Sequence, residues 1–122
     1  MLRRAFLHAA TQRSMAILMA MNTKNGNGHH LTEQLRAVAD PTRRRILRML
    51  GEKGHCSIGE STGLCARDIE AKIKLSQPTV SHHMKILADA GLITGQRRGQ
   101  WTWYRRDETA VRQMTKKFRE EL

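Results

Sequence analysis

The sequence has little cysteine, aromatic residue or proline. It contains two cysteines, two prolines and 4% aromatic residues in 122 residues. Small secreted domains held together by disulfides carry a much higher share of cysteine, so this class of protein is excluded. The length is enough for one compact domain, which excludes a large multidomain enzyme.

Long apolar runs are also missing. The longest, Met15–Met21, has seven residues, whereas a membrane-spanning helix needs about 20. Residues 2–21 are basic and superficially resemble a targeting presequence, but no small-residue cleavage site follows them. We expect a leader with no role in the fold. An alternative is that residues 1–21 anchor the protein to a membrane surface.

Acidic residues are scarce, with 11 Asp and Glu against 22 Lys and Arg, a net charge of +11. Such an excess predicts a polyanionic partner, either nucleic acid or an anionic membrane surface. Residues 1–30 carry four basic and no acidic residues, so most of the excess belongs to the rest of the chain. Because 39% of the residues are hydrophobic, the chain has enough apolar side chains for a core.

Composition divides the chain near residue 30. The stretch 22–30 (NTKNGNGHH) is polar and rich in Gly and Asn, which is typical of a linker. We therefore predict a basic leader and flexible linker over residues 1–30. Residues 31–122 are predicted to form one folded domain.

The first part of this domain has the apolar spacing of helices. We predict four helices, beginning near Leu31, at Pro41, after Gly63 and at Ser76. Pro suits the first turn of a helix, and Ser is a common residue at the position before it. Gly91 is expected to end the fourth helix.

After Gly91 the apolar period changes to two, which indicates a β-hairpin. Its strands are predicted at Leu92–Gln96 and Gln100–Arg106, joined by a basic tip of Arg97, Arg98 and Gly99. A last helix is predicted from about Asp107. The fold class is therefore mainly α with a small β-hairpin wing, in the order helix, helix, helix, helix, hairpin, helix.

Two short helices followed by a basic hairpin make a winged helix-turn-helix, a fold that binds DNA. The second helix of the pair enters the major groove, so its outer face needs polar side chains that reach base edges. The candidates for that face are Gln77, Thr79, Ser81, His82 and Lys85.

Basic residues outside the fourth helix are candidates for phosphate contacts. Arg97 and Arg98 suit the adjacent narrow groove or its phosphates. Arg43 and Arg44, with Arg45 beside them, would fix the register on DNA without reading its sequence. A solvated charged face is the ordinary explanation for each cluster taken alone, and DNA binding explains the clusters together.

Four stretches of the sequence resemble one known family. They are Asp40–Leu47 (DPTRRRIL), Leu75–Leu87 (LSQPTVSHHMKIL), Ala90–Ile93 (AGLI) and Arg97–Tyr104 (RRGQWTWY). In them the chain resembles the ArsR/SmtB family of bacterial winged-helix repressors. The resemblance implies a homodimer that binds double-stranded DNA and represses its own promoter region. It also implies that His83 is a packed structural residue.

The resemblance places the dimer interface on the first and last helices. The residues expected there are Leu31, Leu35, Val111, Met114 and Phe118. The apolar stripe of the last helix supports this independently, because an amphipathic terminal helix needs a surface to pack against.

Many relatives leave DNA when they bind As(III), Cd(II) or Zn(II), but the expected ligand positions are incomplete here. The arsenic-type site is a Leu-Cys-x-Cys-Asp-Leu pattern, and this chain has Cys65 followed by Arg67 and Glu70. The zinc-type site needs histidine on the last helix, which has none. No metal ligand is therefore assigned.

Cys56 and Cys65 leave three interpretations open. They are two ordinary reduced thiols, or a dithiol redox switch, or, together with His55, an irregular site for a soft metal or metalloid. Arg67 and a helix N-terminus near Cys65 would favour the thiolate form that the second and third interpretations need.

The sequence has no nucleophile–base–acid set, no Gly-rich phosphate loop and no pair of catalytic carboxylates, so we do not expect an enzyme. We expect a cytoplasmic, sequence-specific DNA-binding repressor that is released by an unidentified signal, for which a thiol reaction or a metal or metalloid is a candidate. The alternative is a winged-helix module that binds another protein and meets DNA only incidentally. An apolar or acidic outer face on the fourth helix would favour that alternative.

Overall fold

The computed structural model describes residues 30–54, 56 and 62–122. The predicted leader lies outside these residues, apart from His30. The helices are α1 (Leu31–Ala39), α2 (Pro41–Gly51), α3 (Ala66–Ile73), α4 (Gln77–Asp89) and α5 (Glu108–Glu120), and the strands are β1 (Leu64–Cys65), β2 (Ile93–Arg98) and β3 (Trp101–Arg106). This order confirms the predicted fold class. None of the described helices is long and apolar enough to cross a membrane.

Aspartate side chains cap the N-termini of two helices. Asp40 Oδ1 accepts hydrogen bonds from the backbone N–H of Thr42 at 2.8 Å and of Arg43 at 3.1 Å. These bonds, the Arg43 one foremost, hold the pKa of Asp40 below its ordinary value. Asp107 caps α5 in the same way through the N–H of Ala110. Each cap satisfies donors that the first helical turn leaves without a partner.

The core lies between the helices and one face of the sheet. Its most deeply buried large side chains are Ile46, Leu50, Leu64, Ile69, Met84, Leu87, Leu92 and Tyr104. A buried amide joins the first and fourth helices, because Gln34 Nε2 donates to the Ala90 carbonyl at 3.3 Å. This bond occupies a carbonyl at the end of α4 that would otherwise be buried without a donor.

The sheet has one strand more than we predicted. The strand order is β1-β3-β2, all antiparallel, with Leu64 opposite Tyr104 and Cys65 opposite Trp103. A strand of two residues has no room for the period-two pattern that marks longer strands. Its position is decided by pairing with β3, which lies almost 40 residues further along the chain.

The predicted boundaries of the hairpin were wrong. Arg98 pairs with Trp101, so the connection is the two-residue turn Gly99–Gln100, and Arg97 and Arg98 are the last residues of β2 instead of its tip. Gly99 has a φ of +61°, as a two-residue turn with glycine at its first position requires. Because side chains alternate along a strand, the two arginines point to opposite faces of the hairpin.

Gly63 lies where the backbone enters β1 against the hairpin. Its φ is +81°, and a Cβ there would come within 2.5 Å of both Trp103 Nε1 and the Tyr104 carbonyl oxygen. Trp103 cannot move away easily, since its Nε1 donates to the Thr62 carbonyl at 2.9 Å. Position 63 therefore requires glycine for two reasons: the backbone has a positive φ, and there is no room for a Cβ atom.

We expect Gly63→Ala to lower the free energy of unfolding by roughly 2–4 kcal/mol, because backbone strain and overlap act together. Urea unfolding measures the loss. Gly54→Ala is the matched control, since its φ is +85° and nothing lies within 4 Å of the new Cβ, so it should cost about 1 kcal/mol. Equal losses in the two variants would contradict the steric part of this argument.

Candidate DNA-binding surface

Helices α3 and α4 are joined by the short turn Lys74–Ser76. Lys74 adopts the left-handed conformation, with φ of 59°, and its N–H donates to the Glu70 carbonyl at 3.0 Å. Ser76 precedes α4 as predicted, but its hydroxyl makes no capping bond to the helix backbone. It lies 2.8 Å from the Thr79 hydroxyl instead. The chain therefore reverses within three residues, the geometry of a helix-turn-helix.

Helix α4 is buried along one side and open along the other. Val80, Met84 and Leu87 are buried, and their spacing of four and three residues is that of one helix face. Among the candidate residues, Thr79, His82 and Lys85 are exposed, whereas Gln77 and Ser81 are half-buried. The open side of α4 is therefore polar at positions three residues apart, which places these side chains in one row.

Lys85 is the cation of this row. Its ammonium group lies 2.8 Å from Asp89 Oδ2 one turn later, and both side chains are about half exposed (49%). Exposed pairs of this kind contribute only about 0.5 kcal/mol. Lys85 can therefore exchange Asp89 for another anion at little cost.

The arginines of β2 are both exposed, but their contacts differ. Arg97 Nε donates to the Gly99 carbonyl at 3.1 Å, so this side chain folds over the turn. The Arg98 guanidinium carbon lies 5.0 Å from the centre of a Trp103 ring on the other face. A cationic group thus projects from each side of the wing near its end.

The run Arg43–Arg45 has a structural role that we did not predict. Arg43 Nε donates to the Ala37 carbonyl at 2.6 Å, and Arg44 Nη1 donates to the carbonyls of Val38 at 2.7 Å and Ala39 at 2.9 Å. Arg45 Nη2 donates to the carbonyl of Lys72, near the end of α3, at 3.0 Å. All three side chains occupy carbonyls at helix C-termini, whose partial negative charge favours cations. Phosphate binding by Arg43 and Arg44 stays a prediction, and Arg43 is half-buried.

His83 joins α4 to this arginine run. Its Nδ1 lies 3.2 Å from Arg43 Nη1, and its side chain is half-buried. Since a guanidinium can only donate, Nδ1 must accept, which requires a neutral ring. Burial lowers the pKa of His83, and the charges of Arg43 and His82 add to this, while Asp40 opposes it.

Neither cysteine forms a disulfide. Cys56 is half-buried, whereas Cys65 is 1% exposed and its Sγ donates to Asp68 Oδ2 at 3.2 Å. The Arg67 guanidinium is directed to the Trp101 ring, 5.8 Å away. The described residues contain no group of three or more potential metal ligands. The thiol and soft-metal interpretations stay predictions.

The residues predicted for a dimer interface differ in exposure. Met114 belongs to the core of the chain itself, with 7% exposure, and Leu31, Leu35 and Val111 are half-buried. Phe118 is exposed at 41%. An interface on α5 would therefore depend on its second half.

Sequence analysis missed a group of residues on the wing. Trp101, Trp103 and Arg105 alternate along β3 on the same face as Arg98, and Arg67 reaches this face from α3. The alternation was visible in the sequence. Which basic residues contact the tryptophans depends on strand register and on the packing of α3, neither of which the sequence pattern reveals.

The α3–α4 pair and the adjacent hairpin define a winged helix-turn-helix protein, the class in which one helix enters a groove of DNA. Residues 40–94 match the profile of the arsR family of bacterial regulatory proteins. The chain belongs to this family. It is a DNA-binding transcriptional regulator, not an enzyme, and the family implies binding to double-stranded DNA.

Individual relatives agree with this assignment. An uncharacterised helix-turn-helix transcriptional regulator from Methanocaldococcus jannaschii is 34% identical over 84 residues, covering 69% of this chain and 85% of that protein. The transcriptional repressor SdpR of Bacillus subtilis is 40% identical over 76 residues, covering 62% and 74%. A solved ArsR-like transcriptional regulator from Rhodococcus sp. RHA1 is similar in fold, with a TM-score of 0.62 and 20% identity over 74% of this chain and 76% of that one.

The bond between Arg43 and His83 predicts a pH dependence of stability. Because the pKa of His83 is lowered from 6.5 in the folded chain, its contribution is fully present above pH 6.5 and is lost as the pH falls through the lowered value. We expect this histidine to account for a decrease of less than about 1 kcal/mol in the free energy of unfolding between pH 7.5 and 5.5, since the site is partly solvated.

Urea unfolding of His83→Gln across this pH range tests the assignment. The variant should lose this part of the pH dependence, whereas His82→Gln, which alters the exposed neighbour, should retain it. A pH profile of His83→Gln that matches the wild-type profile would refute the role given to His83.

Proposed function

We propose that this chain represses transcription in the cytoplasm by binding a specific DNA sequence as a homodimer, and that it acts on its own promoter region. The observation that carries the proposal is the polar row on the open side of α4, formed by Thr79, His82 and Lys85. Short polar side chains there suit hydrogen bonds to base edges in the major groove. The exposed Arg97 and Arg98 beside it suit phosphate contacts.

The same row argues against the alternative of a protein-interaction module. Such a module would present an apolar or acidic face on α4. Among the exposed residues of α4 only Asp89 is acidic, and it is paired with Lys85.

Gln77 begins α4 and is our candidate for base recognition at the end of the helix that enters the groove. We expect Gln77→Ala to reduce the difference in binding free energy between the specific and a scrambled duplex by about 1–3 kcal/mol, because one good contact to a base edge is lost. Arg98→Ala should weaken both duplexes alike, since phosphate contacts carry no sequence information.

Fluorescence anisotropy titrations measure the affinity of each variant for two duplexes. One carries the DNA upstream of the gene, and the other is a scrambled duplex of equal length. Equal losses on the two duplexes for Gln77→Ala would exclude base recognition by this residue. If wild-type protein bound the two duplexes equally, repression at its own promoter would be contradicted.

The second half of α5 supports the homodimer. Phe118 and Leu122 are exposed at 41% and 91%, although Met114, one turn earlier, is buried in the core. The apolar surface at the end of α5 belongs to a helix that contacts α1, and α1 carries the half-buried Leu31 and Leu35. A second copy that packs on it would bury the apolar side chains.

We expect Phe118→Glu to shift the chain from dimer to monomer, since a carboxylate at the centre of an apolar interface loses its hydration. Sedimentation velocity over a range of concentrations measures the shift. Gln113→Glu introduces the same change in charge at an exposed position on the other side of α5 and should leave the dimer intact. A monomeric wild-type chain at all concentrations would exclude the homodimer.

For the signal we propose the thiol of Cys65. This residue ends β1 and immediately precedes α3, so it lies where the sheet meets the helix-turn-helix. A disulfide with Cys56, in which a peroxide takes up the two thiol hydrogens, would remove the bond to Asp68 and pull on α3. Such a displacement would reach α4 through the short turn. A soft metal ion bound to the two thiolates would act at the same place.

We expect hydrogen peroxide to lower DNA affinity at least several-fold in the wild type and not in Cys65→Ser or Cys56→Ser. Titrations with As(III), Cd(II) and Zn(II) on the reduced protein distinguish the metal signal. If Cys65→Ser keeps the full response to peroxide and to the metals, Cys65 is not the sensor.

A further inference from the structure

The outer face of the wing alternates arginine and tryptophan. The strand register pairs Arg98 with Trp101 across the hairpin, and Trp103 and Arg105 follow on the same face of β3. Arg67 joins them from the first turn of α3. We call these five residues the outer wing face.

Each arginine of the outer wing face lies over an aromatic ring. The Arg67 guanidinium carbon is 5.8 Å from the centre of a Trp101 ring. Those of Arg98 and Arg105 are 5.0 Å and 5.8 Å from the centre of a Trp103 ring, so Trp103 contacts two cations. Trp103 is itself fixed, because it is 5% exposed and its Nε1 donates to the Thr62 carbonyl. The rings therefore hold three positive charges close together.

The charges of Arg67 and Arg105 on this face are available to a ligand. Arg67, Arg98 and Arg105 are all exposed, and within the described part of the chain neither Arg67 nor Arg105 has a carboxylate partner. An aromatic ring attracts a guanidinium without occupying its N–H donors as a carboxylate would. Those donors suit the paired oxygens of phosphate groups.

We propose that the outer wing face binds backbone phosphates of the DNA that flanks the segment contacted by α4. The proposal rests on the proposed function, and it extends the contact with DNA beyond the recognition helix and the end of the wing. Continuity favours DNA over an acidic protein. Arg98 belongs both to this face and to the exposed end of β2, so a duplex that contacts Arg98 and continues along the face would reach Arg105 and Arg67.

The test compares one binding site in two lengths. The wild-type chain selects a duplex from a random library, and the site is trimmed to the shortest duplex on which Gln77→Ala still lowers affinity. A second duplex extends it by ten base pairs at each end. We expect Arg67→Ala with Arg105→Ala to lower affinity for the long duplex about ten-fold and for the short one less than two-fold. The dependence of affinity on salt should decrease by about two ions on the long duplex only.

Two further variants separate phosphate binding from other effects. Arg48→Ala with Lys53→Ala removes two charges from exposed positions outside the face and should change both duplexes equally and little. Arg67→Lys with Arg105→Lys keeps the charges and should retain most of the affinity for the long duplex. Thermal unfolding confirms that each variant is folded.

Several results would overturn the proposal. Equal losses on the two lengths would place the effect at the core site, and unchanged binding to both would exclude DNA as the partner of this face, pointing to an acidic protein. A wild-type chain that selects no sequence from the library would contradict the proposed function itself, and with it this extension.

Discussion

This fold depends on finding hydrogen-bond donors for the carbonyl groups at the C-terminal ends of its short helices. Helix α1 has nine residues, so its four terminal carbonyls are a large part of its backbone and need donors from outside the helix. The run Arg43–Arg45 supplies them for α1 and α3 from positions on α2. Three helices are thereby joined through guanidinium groups.

Helix α4 is attached to this framework by two further polar contacts. His83 accepts from Arg43, and Gln34 donates to the carbonyl of Ala90 just beyond the helix. These two contacts and the buried residues of α4 hold one side of the helix against the domain, and the other side stays exposed. Two groups of basic residues can consequently be distinguished: Arg43, Arg44 and Arg45 hold helix ends together, whereas Lys85 on α4 and Arg97 and Arg98 on the wing are exposed. The net charge of the sequence does not distinguish these two groups.

The wing is tied to the framework at β1. Pairing of Cys65 with Trp103 and the approach of Gly63 to the same tryptophan bring the outer wing face next to the start of α3. Arg67 crosses from α3 to Trp101 at this junction. Cys65 therefore lies at the junction of the helix-turn-helix and the wing.

By itself, the sequence determined the order of helices and hairpin, the buried side of α4 and the class of partner. These follow from apolar period, Pro and Gly positions and charge, which are local or additive properties. Only the tertiary structure decided that Arg43 to Arg45 cap helices, that Arg98 lies in a strand and that Arg67 meets Trp101. A guanidinium can bind a carbonyl, an aromatic ring or a phosphate, and which of these it contacts depends on the groups that the fold brings near it. Those groups belong to chain segments up to about 40 residues away in the sequence.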